Sequence, residues 1–99
     1  MDIIKNYNDE ELTIEVGDRI DTVTAPDFQN EIMDEMGKFN SLVLDFKNLE
    51  YISSAGLRVL ILVQKKLKKD NISFCIINVN KTILEILKMS GLNKILNIE

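Results

Sequence analysis

Histidine is absent from the 99 residues, and cysteine occurs once, as Cys75. Without histidine, neither a Ser-His-Asp catalytic triad nor a histidine metal site is possible. A single cysteine also excludes an internal disulfide. Cys75 lies inside the apolar run at positions 74–77, so we predict that it is a buried small hydrophobic residue.

Long apolar segments are missing as well. No stretch approaches the roughly 20 residues that a membrane-spanning helix needs. The start of the chain shows no signal-peptide pattern. We therefore expect a cytoplasmic protein that does not insert directly into a membrane.

The usual catalytic motifs are also lacking. The pair Ser53-Ser54 has no preceding glycine of the G-x-S-x-G type, and no Walker loop or G-x-G-x-x-G segment occurs. The nearest lysines lie about two or more helical turns beyond Ser54, which leaves a Ser-Lys dyad only as a geometric possibility. Asp18 and Asp21 share a predicted loop, but two carboxylates alone are a weak metal signal. We expect no enzymatic activity, no cofactor and no metal.

The net charge of −4 is unevenly distributed along the chain. Residues 1–50 hold 13 acidic and 4 basic side chains, whereas residues 51–99 hold 3 acidic and 8 basic ones. An acidic protein with a pI near 4.8 is a poor candidate for binding nucleic acid. Four of the cations are lysines at positions 65–69, where they suit the negative end of a predicted helix.

The first half of the chain predicts a hairpin and then a helix. Ile3, Ile4 and Tyr7 predict a first strand, and the alternation at 12–16 predicts a second one that pairs with it at a sheet edge. Gly17 and Asp18 are predicted to bend the chain out of the second strand. Thr24 is the predicted cap of the first helix, with Asp27 as the acid of a capping box.

The second half continues with buried strands and further helices. Apolar runs at 42–44 and 73–79 predict strands buried on both faces, and Asn80 is the predicted cap of a third helix that ends at Gly91. Residues 92–98 fit either a short helix or an edge strand. The order of elements predicts a single α/β domain of residues 1–99, with parallel pairing in the middle of a small mixed sheet packed with helices.

The chain is organised around residues 42–69, where a buried strand leads through a polar bend into a long helix pattern. Ser54 is predicted to cap that helix. Gly56 is a poor helix former, so its presence in the first turn needs an explanation. Either another backbone approaches closely, or the glycine leaves room for a group attached to Ser54. An exposed serine at a helix N-terminus also suits phosphorylation. The residues alone leave both roles of Ser54 open.

The long helix is apolar on almost every side. Its spacing places Leu57, Leu60, Ile61 and Gln64 on the main stripe, with Val59, Leu62 and Val63 outside it. Such a helix is usually buried between layers, whereas an exposed side next to Ser54 would suit a protein interface. We expect burial for most of it, with Leu57 and Arg58 nearest to any partner.

Two segments of the chain resemble one known family. The stretch LVLDFKNLEYISSAGLRVL at positions 42–60 is similar to the signature region of the STAS domain family, which includes the anti-sigma-factor antagonists. GDRIDTVTAPDFQNEI, at positions 17–32, resembles the family's segment that ends in T-A-P before its first helix. The two matches lie in the family's order, and the chain length suits a stand-alone member, so the resemblance implies that nearly the whole chain is one such domain.

The resemblance implies a function that phosphorylation switches. In the family, the unphosphorylated antagonist binds an anti-sigma factor that is also a serine-protein kinase, and this frees the sigma factor. The kinase then phosphorylates the antagonist, the complex dissociates, and a serine phosphatase resets the switch. The resemblance identifies Ser54 as the phosphoacceptor. It matches Asp21 to the family's acidic loop residue beside the switch and Gly56 to its motif glycine. Together with these two, the predicted partner-binding set comprises Thr22, Ser53, Leu57 and Arg58.

This sequence departs from many antagonists next to the acceptor. It has Ser53 where they have aspartate and Ala55 where they have serine or threonine. The change at position 53 removes a carboxylate and makes Ser53 an alternative acceptor. The family also includes other roles: a non-switching scaffold, or a cytoplasmic subunit of a lipid or anion transport system.

Overall fold

The computed structural model describes all 99 residues as five strands and three helices. In chain order they are β1 Asp2–Asn8, β2 Glu11–Ile20, α1 Ala25–Met33, β3 Ser41–Asp45, β4 Leu49–Ile52, α2 Ser54–Lys69, β5 Ser73–Ile77 and α3 Lys81–Met89. A 3-10 turn, Leu92–Lys94, follows α3. The predicted α/β fold with one mixed sheet is confirmed.

The sheet is mixed because one pair of strands is antiparallel and the others are parallel. Strand order is β1-β2-β3-β5, and β4 pairs with the second half of β2. β1 and β2 form the predicted antiparallel hairpin, whereas β2–β3, β2–β4 and β3–β5 are parallel. Leu12, Ile14 and Val16 are buried and the residues between them are partly exposed, so one face of β2 lies against the core.

β2 is longer than the sequence predicts. Gly17 and Asp18 do not bend the chain away, because the strand continues to Ile20. Asp18 has a positive φ of 64°, and the register shifts between Asp18 and Arg19. This irregularity lets β2 change its parallel partner from β3 to β4.

β4 is a strand that the sequence does not predict, since residues 45–50 look like a polar bend. Phe46, fully buried, follows β3 directly and its backbone N–H donates to Ile77 at 3.0 Å. The buried carboxylate of Asp45 accepts from the backbone of Lys47 and from Asn78 Nδ2, both at 3.0 Å. These contacts hold the short connection that leads into β4.

Polar contacts connect β1 to α1 and to the turn that follows α1. Lys5 Nζ lies 3.1 Å from Glu31 and 3.3 Å from Glu35, and the Tyr7 hydroxyl donates to Glu35 Oε1 at 2.7 Å. The Tyr7 hydrogen bond lowers the pKa of Glu35. Burial, followed by the nearby Glu35 carboxylate, raises the pKa of Tyr7 to about 12.

The C-terminal segment lies alongside β5. Ile76 forms a parallel bridge with Ile98, its N–H donates to Asn97 at 2.9 Å, and its carbonyl accepts from Glu99 at 2.8 Å. The end of the chain is therefore a 3-10 turn followed by a bridge, and neither of the predicted alternatives. Cys75 in β5 is partly buried, and this burial raises the pKa of its thiol to about 11.

Candidate functional site

The predicted site residues meet where two parallel strands end side by side. Ile20 at the end of β2 pairs with Ile52 at the end of β4, and the backbone N–H of Ser53 donates to the Ile20 carbonyl at 2.8 Å. Each strand then leads through a loop into a helix. The loop after Ile20 and the start of α2 are therefore neighbours, as is usual for binding sites at the carboxyl ends of parallel strands.

The serine that caps α2 is Ser53, and the prediction of Ser54 as the cap is wrong by one residue. Ser53 has extended backbone angles, and its Oγ accepts from the Gly56 N–H at 3.4 Å. Ser54 is the first helical residue; it is exposed, and its hydroxyl makes no hydrogen bond within the chain. Capping therefore does not account for the side chain of Ser54.

Gly56 is explained by close approach, but of side chains and not of a backbone. A Cβ at this position would lie 2.7 Å from Ile20 Cγ2 and 2.7 Å from Ile52 Cγ1. Glycine thus allows the first turn of α2 to rest directly on the ends of β2 and β4. Gly56 is buried. Of the predicted partner-binding residues, it therefore lies beneath the surface that a partner would contact.

The loop after β2 is folded around the carboxylate of Asp21. Asp21 Oδ1 accepts from the backbone N–H groups of Val23 and Thr24, each at 2.9 Å. The predicted capping box of α1 is wrong: Thr24 makes no side-chain cap bond to the helix. Its hydroxyl instead accepts from the Asp21 N–H at 2.9 Å. Thr22 is exposed at the outer side of this loop.

Hydrogen bonds from Thr24, together with those from Val23 and the ion pair with Arg19, lower the pKa of Asp21. Ionised Asp21 therefore stabilises the fold above its unfolded-state pKa of about 3.9, and this contribution is lost as the pH falls through the lower folded-state pKa. We expect Asp21→Asn, which keeps the acceptor oxygen, to be less stable than the wild type at pH 7. The difference between the two proteins should be smaller at pH 2.5 than at pH 7. Urea unfolding at both pH values measures this, and an unchanged difference would contradict it.

Two neighbouring residues that the sequence does not single out extend the surface. The Arg19 guanidinium lies 5.1 Å from the centroid of the Tyr51 ring and its Nε is 3.2 Å from Asp21 Oδ2. Tyr51 is 41% exposed and Val23 81% exposed. In β4, Leu49 and Ile52 are buried and the two residues between them, one of which is Tyr51, are exposed. This pattern identifies Tyr51 as a surface residue only once β4 is recognised as a strand.

The buried face of α2 differs from the predicted stripe. Gly56, Val59, Leu60, Val63 and Leu67 are buried. Leu57 is partly buried and Arg58 is exposed, so of the two residues expected nearest a partner, Arg58 is the more accessible. Leu62 is 41% exposed. One side of this apolar helix therefore faces outward.

Ser54 is exposed at the first position of α2. What the geometry offers is an exposed hydroxyl at a helix N-terminus, beside a structured acidic loop.

The family model of the STAS domain matches residues 2–99. The chain belongs to the STAS domain family. The exposed Ser54 and the Asp21 loop lie in the two segments that carry the family resemblance, so this STAS domain has the expected segments next to each other in space. No helix of the domain is both long and apolar enough to span a membrane.

Solved structures with the same fold include anti-sigma factor antagonists. One from Mycobacterium paratuberculosis has a TM-score of 0.88 at 24% identity, covering 98% of this chain and 83% of that one. SpoIIAA in its unphosphorylated form gives 0.82 at 15%, covering 99% and 88%. The Bacillus SpoIIAA in its phosphorylated form gives 0.77 at 15%, covering 99% and 91%. No curated protein sequence matches this STAS domain.

Proposed function

We propose that this STAS domain is an anti-sigma factor antagonist whose binding is switched by phosphorylation of Ser54. The observation that carries the proposal is the position of Ser54: exposed, released from capping by Ser53, and first in a helix of 16 residues. Structural neighbours that are anti-sigma factor antagonists support the general role. SpoIIAA is known in both phosphorylation states.

Phosphorylation at this position would change the surface without unfolding it. A phosphate adds about −1.5 to −2 charges at pH 7, and the free N–H groups and dipole at a helix N-terminus stabilise such a charge. A partner that docks over Ser54 and the Asp21 loop would meet this new charge beside an existing carboxylate. The modification therefore removes binding, while α2 keeps its packing.

The proposed partners follow from this switch. The first is an anti-sigma factor that binds the unphosphorylated form and is itself the serine-protein kinase. The second is a serine phosphatase that restores the hydroxyl. The binding surface would comprise Asp21, Thr22, Leu57 and Arg58 around Ser54, with Ser53 holding the start of the helix.

Site-resolved phosphorylation tests the proposal. The wild type, Ser54→Ala and Ser53→Ala are incubated with ATP and a lysate of the native cells, and the modified residues are mapped by mass spectrometry. We expect phosphate on Ser54 in the wild type and in Ser53→Ala, and none in Ser54→Ala. Phosphate on Ser53 would move the acceptor by one residue. An active lysate that labels neither serine would contradict the switch and favour a non-switching scaffold.

A further inference from the structure

The outward side of α2 carries a continuous stripe of exposed residues that begins at Ser54. Positions 54, 58, 62, 65 and 69 follow one another at intervals of three or four, which places them along one side of the helix. After Ser54 the stripe consists of Arg58, Leu62, Lys65 and Lys69, and each of these side chains is exposed. Lys66 lies next to the stripe and is exposed too.

The helix dipole does not account for all of these cations. Cations stabilise a helix only within its last turn, and the last turn of α2 holds Lys66, Lys68 and Lys69. Arg58 and Lys65 lie outside it. α2 contains no acidic residue although the chain has a net charge of −4. None of its cations lies within 4.0 Å of an acid, whereas Lys5, Arg19 and Lys47 all do.

The stripe borders a shallow groove that has two apolar lining residues, Ile61 and Leu62. The groove is lined by Arg58, Ile61, Leu62, Lys65, Lys66 and Lys69 and has a volume of about 510 Å³. Leu62 is 41% exposed. Arg58 precedes Leu62 by four residues, and Lys65 and Lys66 follow it by three and four residues. The surface therefore offers an apolar contact surrounded by unpaired positive charge.

We propose that this face of α2 binds an acidic amphipathic helix of a partner protein. Carboxylates of that helix would pair with Arg58, Lys65 and Lys69, and an apolar side chain would rest on Leu62. A protein segment fits better than a lipid surface, because helices that lie on membranes bury a large apolar face. The apolar face of α2 is already buried in the core of the domain.

The stripe also connects this surface to the switch, a step that rests on the proposed function. Ser54 and Arg58 are four residues apart, the spacing at which oppositely charged side chains on a helix attract each other. A phosphate on Ser54 would pair with Arg58 and repel the carboxylates of the bound helix. Phosphorylation would then act on the partner along α2 as well as over the Asp21 loop.

The test uses a defined probe, a fluorescein-labelled helical peptide with leucines on one face and glutamates on both sides of them. The reference probe has the same composition with these residues scattered round the helix. Fluorescence anisotropy with the unphosphorylated domain should show saturable binding of the first peptide only. The triple variant Lys65→Glu, Lys66→Glu, Lys69→Glu should weaken binding by about tenfold or more.

A matched control variant reverses the charge of three exposed, unpaired lysines outside α2: Lys81→Glu, Lys88→Glu, Lys94→Glu. It has the same net charge as the first triple variant, and we expect it to bind within about twofold of the wild type, because its charges lie off the stripe. Replacing the stripe lysines with glutamine checks that any loss follows the charge, and circular dichroism verifies that each variant is folded. Leu62→Ala should also weaken binding.

Three results would overturn this proposal: equal binding of the scattered peptide, an equal loss in both triple variants, or no saturable peptide binding. In the last case, tight binding to phosphatidylglycerol vesicles would make the face a lipid-binding surface. The peptide assay needs no kinase, so it is independent of the phosphorylation test. If the peptide binds but the lysate does not phosphorylate Ser54, the proposed switch is contradicted and the proposed binding surface stands. If Ser54 is phosphorylated but the peptide does not bind, the switch stands and the binding surface is contradicted.

Discussion

Leu60→Ala is expected to lower the free energy of unfolding by about 3 kcal/mol, as truncation of a buried leucine usually does through lost burial and the cavity that remains. Leu60 lies in the middle of α2 and is fully buried. In a domain of this size such a loss lowers the melting temperature by roughly 15 °C. Urea unfolding at pH 7 and thermal unfolding by circular dichroism measure it.

Leu62→Ala is the matched control on the same helix. Leu62 is 41% exposed, so the same change should cost less than about 1 kcal/mol. The pair separates two functions of α2, since Leu60 holds the helix in place and Leu62 contributes to the proposed binding face. Similar losses in the two variants would mean that the outward side of α2 is packed against something within the domain.

Gly56→Val is expected to destabilise the domain by about 3 kcal/mol, because overpacking a tight contact forces neighbouring groups to move. The added Cβ would already lie 2.7 Å from side-chain atoms of Ile20 and Ile52, and valine adds two further methyl groups. The start of α2 would have to lift from the ends of β2 and β4. Unfolding in urea measures the loss, and the phosphorylation mapping described above, repeated with Gly56→Val, shows whether Ser54 is still modified.

Ser54→Val is the control for the substitution itself. It places the same β-branched residue two positions earlier in the same helical turn, but at an exposed site. The intrinsic cost of valine in a helix is at most about 0.7 kcal/mol. A Gly56→Val protein no less stable than Ser54→Val would contradict the close packing described for Gly56.

Much of the fold could be predicted because its signals are local. The alternation in β2 and the apolar runs of β3 and β5 identify strands whatever the rest of the chain does. Asn80 accepts from the Ile83 N–H at 2.9 Å, as the prediction of a cap requires. Gly91, with a φ of 78°, ends the region of α3 as expected.

The missed features depend on contacts between distant segments. β4 is only four residues long and exists because β2 continues past its irregularity at Asp18 and pairs with it. The face of α2 could not be assigned, since an apolar helix has several plausible stripes, and only the sheet beneath selects Val59 and Val63. The cap position depends on the strand before it: the Ser53 N–H bonds to Ile20, which keeps Ser53 extended and makes Ser54 the first helical residue.

The candidate site shows the same division between local and long-range signals. Ser54, Asp21 and Arg58 lie in segments whose resemblance to the family is visible in the sequence, and the structure brings the first two segments together. Arg19 and Tyr51 were missed, since their contact joins β2 to a strand that was not predicted. That Gly56 lies under the surface follows from the side chains of Ile20 and Ile52, which no local pattern reveals.

The placement of the last residues along β5 protects part of one margin of the sheet. Ile76 is already bonded on its outer side by Asn97 and Glu99, so a foreign strand would have to displace them to extend the sheet there. The opposite margin is formed by β1, which pairs only with β2. The C-terminal bridge therefore makes the β5 margin harder to extend by a further strand than the β1 margin.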